Sequence, residues 1–361
     1  MRVLHLNSGL LFGGGLERII VDLMLKNRAT ENYLCIINNQ WDEKCLEGID
    51  RERILLCNRK IGGKNPILTL SIIYKIYKFI KRNNINIIHC HNSFALKFGY
   101  VLKRIIGVKV ILTVHDTNAY YKELNRYPVD KYIAISKSVY NIISEYVSTQ
   151  KIGLIYNGVD LGHYSNQIKD LDKKKTRVNI SCVARIMPEK KGQDILIKAL
   201  NVLKTKYNYN EFKCTFAGAI HDPKSMDHLN ELIRKLNLKD NIEFVGNVEN
   251  IEKVYGDTDI FVLPSRYEGF GLVVVEALAS GCSVIVSKLD GPLEIIKEDE
   301  EHGLHFEKEN YKELAYKLNK LINDPIYYNQ YKNNKKTQEY LKREYSLENM
   351  IERYNKVYRA L

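Results

Sequence analysis

The sequence lacks most of the features that would take it out of the class of ordinary folded chains. It has one tryptophan, seven prolines and no low-complexity tract in 361 residues, so neither a proline-rich spacer nor a disordered polar chain fits. Its seven cysteines, Cys35, Cys45, Cys57, Cys90, Cys182, Cys214 and Cys282, are odd in number and never form a Cys-X-X-Cys pair. That excludes a disulfide framework and predicts reduced thiols in a cytosol. The opening residues, Met1 to Ser8, read directly as a strand and show no basic, apolar and small-residue sections in series, so an exported chain is not expected. No apolar run approaches the twenty or so residues of a membrane span. The most apolar helical stretch, Ile67 to Ile80, is interrupted by Lys75 and Lys78.

The absence with most consequence is local: residues 53 to 115 hold twelve Lys and Arg and not one Asp or Glu. Of the net charge of +12, residues 1 to 165 carry +10, from 23 basic against 13 acidic side chains. On a helix from about Pro66 to Arg82, Ile72, Ile73, Ile76 and Ile80 form an inward stripe, leaving Tyr74, Lys78 and Lys81 outward with Tyr77 beside them. A solvated basic face would look like this, and so would a surface for anionic lipid or for a phosphate-bearing acceptor. Tyrosine beside lysine suits a lipid headgroup layer. No nucleic acid partner is expected.

What is present is a regular alternation of β-branched runs and helical patterns. Strands are predicted near residues 2–7, 33–37, 53–57, 86–90, 109–114 and 131–135. After a polar stretch from Ser165 to Thr176, which reads as a linker, they recur near 178–184, 212–217, 242–246, 259–263, 283–286 and 303–306. Helices are predicted in the gaps, among them 192–206, 225–236, 271–280 and 310–322. This is an α/β pattern of two Rossmann-like units in tandem, residues 1–165 and 176–340, with a last helix in 341–361 returning to the first unit. Ligands of such sheets bind at the carboxyl ends of the strands.

Three loops at those ends carry candidate chemistry. Ser8 to Gly15 ends in three consecutive glycines before a helix start, where backbone N–H groups favour an anion. It lacks both the Gly-Lys-Ser/Thr ending of a nucleotide-hydrolase loop and a full dinucleotide fingerprint; a bare tight turn would also produce it. Ala184 to Gly192 puts Arg185 and Lys191 where fixed positive charge can meet a diphosphate. Leu263 to Gly271 leads into the helix 272–280, and Gly269 and Gly271 let several N–H groups point at one small volume. Glu268 precedes that helix and Glu276 lies inside it; carboxylates of this kind accept pairs of vicinal hydroxyls.

In this order the motifs GGGLER at 13–18, IIHCH at 87–91, TVHD at 113–116, AISKSV at 134–139, IYNGVD at 155–160, ARIMPEKKG at 184–192, FVGNV at 244–248 and FVLPSRYEGFGLVVVEALASG at 261–281 resemble glycosyltransferase family 4, retaining nucleotide-sugar transferases of the GT-B fold. The resemblance implies two Rossmann-like domains facing each other across a cleft. It implies that Arg185 and Lys191 bind the donor diphosphate, Glu268 the transferred sugar and Glu276 the ribose. Backbone N–H groups of Phe270, Gly271 and Leu272 would contact sugar and phosphate, Gly14 or Gly15 would close on them, and His115 would stand beside the sugar. Ala184 replaces a glycine common in the family, a change that touches no contact residue. The implied activity is transfer of a hexosyl unit, with a UDP-sugar as the expected donor, to a glycan or lipid-linked acceptor. The setting expected is bacterial surface polysaccharide synthesis (capsule, O-antigen or lipopolysaccharide), in the cytoplasm or on the inner face of the plasma membrane. A nucleotide-sugar epimerase of the same fold and a transferase with a small-molecule acceptor are the alternatives.

No cofactor or metal is expected. Asp257-Thr258-Asp259 has the DxD form that binds a divalent ion in another transferase fold, yet it enters its strand from the amino end, opposite the ligand edge. His89 and His91 lack a nearby third ligand in the sequence. Glu268 and Glu276 could form a glycosidase pair, but the phosphate-binding loops around them point to transfer.

Overall fold

The computed structural model describes residues 1–62, 66–115, 121–165 and 177–361; all of the predicted linker except Ser165 lies outside the described residues. The chain forms two units, Met1–Gly158 with Leu347–Leu361, and Val159–Ser346.

The first unit is a seven-stranded parallel sheet of β1 (Arg2–Asn7), β2 (Glu31–Asn38), β3 (Ile54–Arg59), β4 (Ile87–Cys90), β5 (Lys109–Val114), β6 (Lys131–Ala134) and β7 (Ile152–Leu154), in the order β3-β2-β1-β4-β5-β6-β7. Helices cover both faces, so the strands read as continuous apolar runs and not as alternating ones. Val3, Leu4 and Leu6 of β1 are fully buried on opposite faces. Six of the seven strands match the predicted ones. The unpredicted β7 is the tripeptide Ile152-Gly-Leu154, too short to show a period. The helix Ser93–Ile106 shows how local chemistry sets element ends: the Asn92 side chain accepts from Ala95 N, and Gly107 closes the helix with φ +70°. The terminal segment is two helices, Lys335–Tyr345 and Leu347–Arg359, and the second packs in the first unit. There Tyr358 shares a hydrogen bond with His89 (2.8 Å) and Tyr354 one with Thr113 (3.1 Å).

The helix Pro66–Arg82 buries Ile72, Ile76 and Ile80 and half-buries Ile73, while Tyr74, Lys78 and Lys81 are exposed. Its outward face is also apolar: Ile67 is 76% exposed, Leu70 66% and Tyr74 56%. These three sit at i, i+3 and i+7, one stripe of a helix. The Lys78 ammonium lies 4.9 Å from the centre of the Tyr74 ring. No described helix is long and apolar enough to cross a membrane.

The second unit is a six-stranded parallel sheet of β8 (Val178–Val183), β9 (Phe212–Ala217), β10 (Ile242–Gly246), β11 (Ile260–Leu263), β12 (Ser283–Ser287) and β13 (Leu304–Phe306), ordered β10-β9-β8-β11-β12-β13. The order reverses direction between β8 and β11, which makes their carboxyl ends the switch point where such sheets bind ligands. The loops Ala184–Gly192 and Pro264–Gly271 leave from those two ends.

Candidate functional site

In the second unit, backbone contacts hold the loops after β8 and β11 together. The carbonyl of Lys190 accepts from the N–H groups of Arg266 (2.8 Å) and Tyr267 (3.2 Å). Gly192 packs so closely on Pro264 that any Cβ would run into the Pro264 carbonyl oxygen, and its φ of +66° is one that glycine adopts freely. Arg266 fixes the junction from the side. Its guanidinium donates to both oxygens of Asp194 (2.7 and 3.1 Å), to both of Glu309 (2.6 and 2.8 Å) and to the Pro188 carbonyl. Burial pushes the Asp194 carboxyl up, but Arg266 and Lys198 hold it below the usual range. Gln193, fully buried, donates to the Arg185 carbonyl at 2.9 Å.

This framework brings Lys191 onto Glu268, Nζ to Oε2 at 2.7 Å, with both side chains largely shielded. Arg185 is exposed. Gly271, at φ +99°, is the N-cap of the helix Leu272–Ala279, and no side chain caps that helix. Its first N–H groups therefore remain available to an anion, beside the Lys191 ammonium. Phe270 is buried, its ring centre 5.6 Å from that of Tyr345. Glu276 is 5% exposed and accepts from the Tyr255 hydroxyl at 2.8 Å. The unit thus assembles a cation, two carboxylates and an uncapped helix start on neighbouring elements, a set suited to a phosphate and to hydroxyl-bearing rings.

In the first unit, Gly14 is the N-cap of the helix Gly15–Lys26, with extended backbone and no side-chain cap. A Cβ at Gly14 would strike the Glu17 carboxylate, so this helix start already has an acidic side chain folded over it. His115 follows β5. Its Nε2 is enclosed and lacks a hydrogen-bond partner among the described residues, and burial lowers the ring to about 3, which keeps it neutral. The His91 ring lies 5.8 Å away.

The histidines of β4 do have a third neighbour, contrary to the expectation from sequence. Parallel pairing sets His5 of β1 opposite His89, and one nitrogen from each of His5, His89 and His91 lies within 4.8 Å of the other two. His5 Nδ1 and His91 Nε2 share a hydrogen bond of 3.0 Å. Both nitrogens of His89 are engaged, by Tyr358 and by Thr113 at 2.7 Å. A metal there would have to displace those bonds. In the Asp257-Thr258-Asp259 run, Asp259 accepts from Asn179 N (3.0 Å) and Lys332 Nζ (2.8 Å), and Thr258 donates to the Val254 carbonyl.

Arg266, Asp194, Gln193, Tyr255 and His5 were not singled out from sequence. Arg266 lies inside the loop motif and its basic type was a signal. Tyr255 and His5 carried none, because their partners come from distant chain segments.

Residues 13–163 match the family model described as Glycosyltransferase Family 4, and residues 164–338 the one described as Glycosyl transferases group 1. The chain is 27% identical over 302 residues to an uncharacterized glycosyltransferase of Methanocaldococcus jannaschii, covering 76% of this chain and 75% of that one. It is 26% identical over 264 residues to an Escherichia coli UDP-Gal:alpha-D-GlcNAc-diphosphoundecaprenol alpha-1,3-galactosyltransferase, covering 64% and 65%. Anabaena HepE, solved in complex with UDP and glucose, superposes with a TM-score of 0.83 at 20% identity, covering 100% of this chain and 99% of HepE.

Proposed function

The chain belongs to the glycosyltransferases, with a family 4 domain followed by a group 1 domain in the GT-B fold, and from that premise we propose a retaining transfer of a hexosyl unit from a UDP-sugar to a lipid-linked glycan. The observation that carries the donor reading is the uncapped helix start at Gly271 with the Lys191–Glu268 pair beside it. Arg185, Lys191 and the N–H groups of Phe270, Gly271 and Leu272 serve the diphosphate, Glu268 the sugar hydroxyls and Glu276 the ribose. In the first unit, Gly14, Gly15 and His115 are the residues proposed to meet a nucleotide sugar.

On this reading the sugar's C1–O bond to the diphosphate breaks as the acceptor oxygen bonds to C1 on the same face. The acceptor's proton passes to the leaving phosphate oxygen, so no protein nucleophile is required. Lys191, now drawn to the diphosphate, releases Glu268 to accept from the sugar. Neutral His115 can orient a hydroxyl without adding charge. We propose that the reaction needs no metal ion, since fixed cations and helix N–H groups already meet the charge that develops on the leaving group. EDTA then leaves the rate unchanged.

The test is a donor screen by calorimetry and nucleotide release over UDP-, GDP- and ADP-sugars, with anomer analysis of the product. Binding of UDP-sugars and retention of the α-anomer are expected. Failure to bind any of them refutes the donor reading, and epimer formed without acceptor establishes the epimerase instead.

The acceptor reading draws on the E. coli relative, whose name gives a diphosphoundecaprenol acceptor, and on the exposed face of the helix Pro66–Arg82. The apolar stripe Ile67, Leu70 and Tyr74 beside Lys75, Lys78 and Lys81 suits an anionic membrane surface and supports a location at the inner face of the plasma membrane in polysaccharide assembly. Sedimentation with phosphatidylglycerol vesicles, lost on joint reversal of Lys75, Lys78 and Lys81 to Glu, is the expected result. A chain that ignores such vesicles contradicts it.

A further inference from the structure

We propose that Tyr255 is a positioning residue for donor binding: its hydroxyl fixes the Glu276 carboxylate in the orientation that receives the ribose. The inference rests on the reading of Glu276 as the ribose ligand and extends it to a residue that never touches the donor.

The Tyr255 hydroxyl donates to Glu276 Oε2 at 2.8 Å, in a place where Tyr255 is fully buried and Glu276 nearly so. The final torsion of a glutamate is soft and roughly two-fold, so a carboxylate needs a second group to define its plane. Tyr255 is well held for that task. Its ring is 5.8 Å, centre to centre, from both Tyr164 and Phe261, and its carbonyl accepts from the Cys282 thiol at 3.4 Å. It lies on the short helix Ile251–Asp257, whose end turns into β11, the strand that also launches the Glu268 loop.

The choice of a phenol has a chemical reason. A lysine or arginine would hold the carboxylate by neutralising it, as Lys191 does for Glu268. A phenol donates one hydrogen bond and brings no charge of its own, so the carboxylate keeps the negative charge that makes it a good acceptor for vicinal hydroxyls. Burial beside a carboxylate raises the Tyr255 hydroxyl well above its ordinary value, so it stays a donor at every working pH.

The test compares UDP with 2′-deoxy-UDP by calorimetry on wild type, Tyr255→Phe, Tyr255→His and Glu276→Ala, with kcat and KM for the donor. In wild type, loss of the 2′-hydroxyl is expected to weaken binding about 10-fold, equivalent to about 1.4 kcal/mol. Tyr255→Phe should weaken UDP about 10-fold while 2′-deoxy-UDP changes little, so the ratio collapses toward 1 and KM rises with kcat nearly unchanged. Tyr255→His, which keeps a ring N–H, should restore part of the ratio. The ratio is internal to each variant, so partial unfolding scales both ligands alike, and the His variant supplies the reading if the Phe variant does not fold. A core tyrosine with no positioning role would weaken both ligands equally, and that result overturns the inference. If Glu276→Ala keeps the wild-type ratio, the ribose reading itself has failed. If Glu276→Ala collapses the ratio and Tyr255→Phe preserves it, only the role of Tyr255 is lost.

Discussion

Acidification should unfold the first unit well before its carboxylates are protonated, because its sheet buries histidines in the neutral form. His5 is fully buried, and burial lowers its ring from 6.5 to about 4. His89 and His91 are lowered well below their ordinary value, by burial and then by the neighbouring histidines, His5 and His115 for His89 and His89, His5 and His115 for His91. A folded pKa below the unfolded value means that the unfolded chain binds more protons, so stability rises with pH. The contribution is complete above pH 6.5 and is lost as pH falls from there to about 4. For His5 a shift of about 2.5 units amounts to about 3 kcal/mol in full, of which about 2 kcal/mol is lost between pH 7.5 and 5. That is a large part of an ordinary domain's margin. Trp41 is the only tryptophan in the chain and packs against the first unit's cluster around Leu10 and Leu46, so its fluorescence reports this unit. Urea melts followed at that wavelength should show the stability of wild type falling steeply from pH 7.5 to 5, and falling by about 2 kcal/mol less in His5→Gln. A wild-type stability flat over that range, or an equal fall in the variant, would falsify the assignment of the pH dependence to this cluster.

Lys191→Met removes a fixed cation from the diphosphate site and should lower kcat about 100-fold, or about 3 kcal/mol in the barrier; the lost ion pair is partly solvated, so the unfolding free energy should fall by no more than about 1 kcal/mol. A variant as active as wild type in nucleotide release would remove Lys191 from the mechanism. Arg266→Ala leaves the buried Asp194 without its main partner and should cost about 3 kcal/mol in stability of the second unit, with donor affinity falling as the two loops separate; hydrogen exchange at Arg185 to Gly192 is the direct readout. Gly192→Ala puts a Cβ against the Pro264 carbonyl at a positive φ and should cost about 3 kcal/mol, measured by thermal melting. An alanine variant as stable as wild type would mean that the two loops are less tightly joined than the packing indicates.

The architecture could be read from sequence because parallel sheets covered on both faces require short, uncharged and largely apolar runs, and Ile180 to Val183, Ile260 to Leu263 and Ser283 to Ser287, all buried, supply them. The three glycine-bearing loops were visible for a related reason. Positive φ at Gly13, Gly192 and Gly271 demands glycine, and glycine stands out. Strand β7 left no such trace, because three residues with Gly153 at the centre show no periodicity. Glu268 was identifiable as a site residue by type and place, but its partner Lys191 is 77 positions away, and chain spacing carries no distance of that kind.

The same limit applies to the two motifs whose composition resembles a metal site. His5 stands alone in β1, and only the register that pairs it with His89 creates a three-histidine cluster. Asp257-Thr258-Asp259 has the composition of a metal site, and its chemistry was decided by strand direction together with a lysine 73 positions downstream. The direction of a strand can be inferred from the alternation of helices, and that direction was the ground for expecting no metal at the DxD run. The lysine that pairs with Asp259 could not be foreseen. Acidic and basic groups are therefore informative in sequence only where the backbone beside them is constrained, as Gly271 constrains Glu268. Where the backbone is less distinctive, as at Tyr255 in a helix and Asp259 in the bend before β11, the role of the side chain is set by whatever the fold brings opposite it.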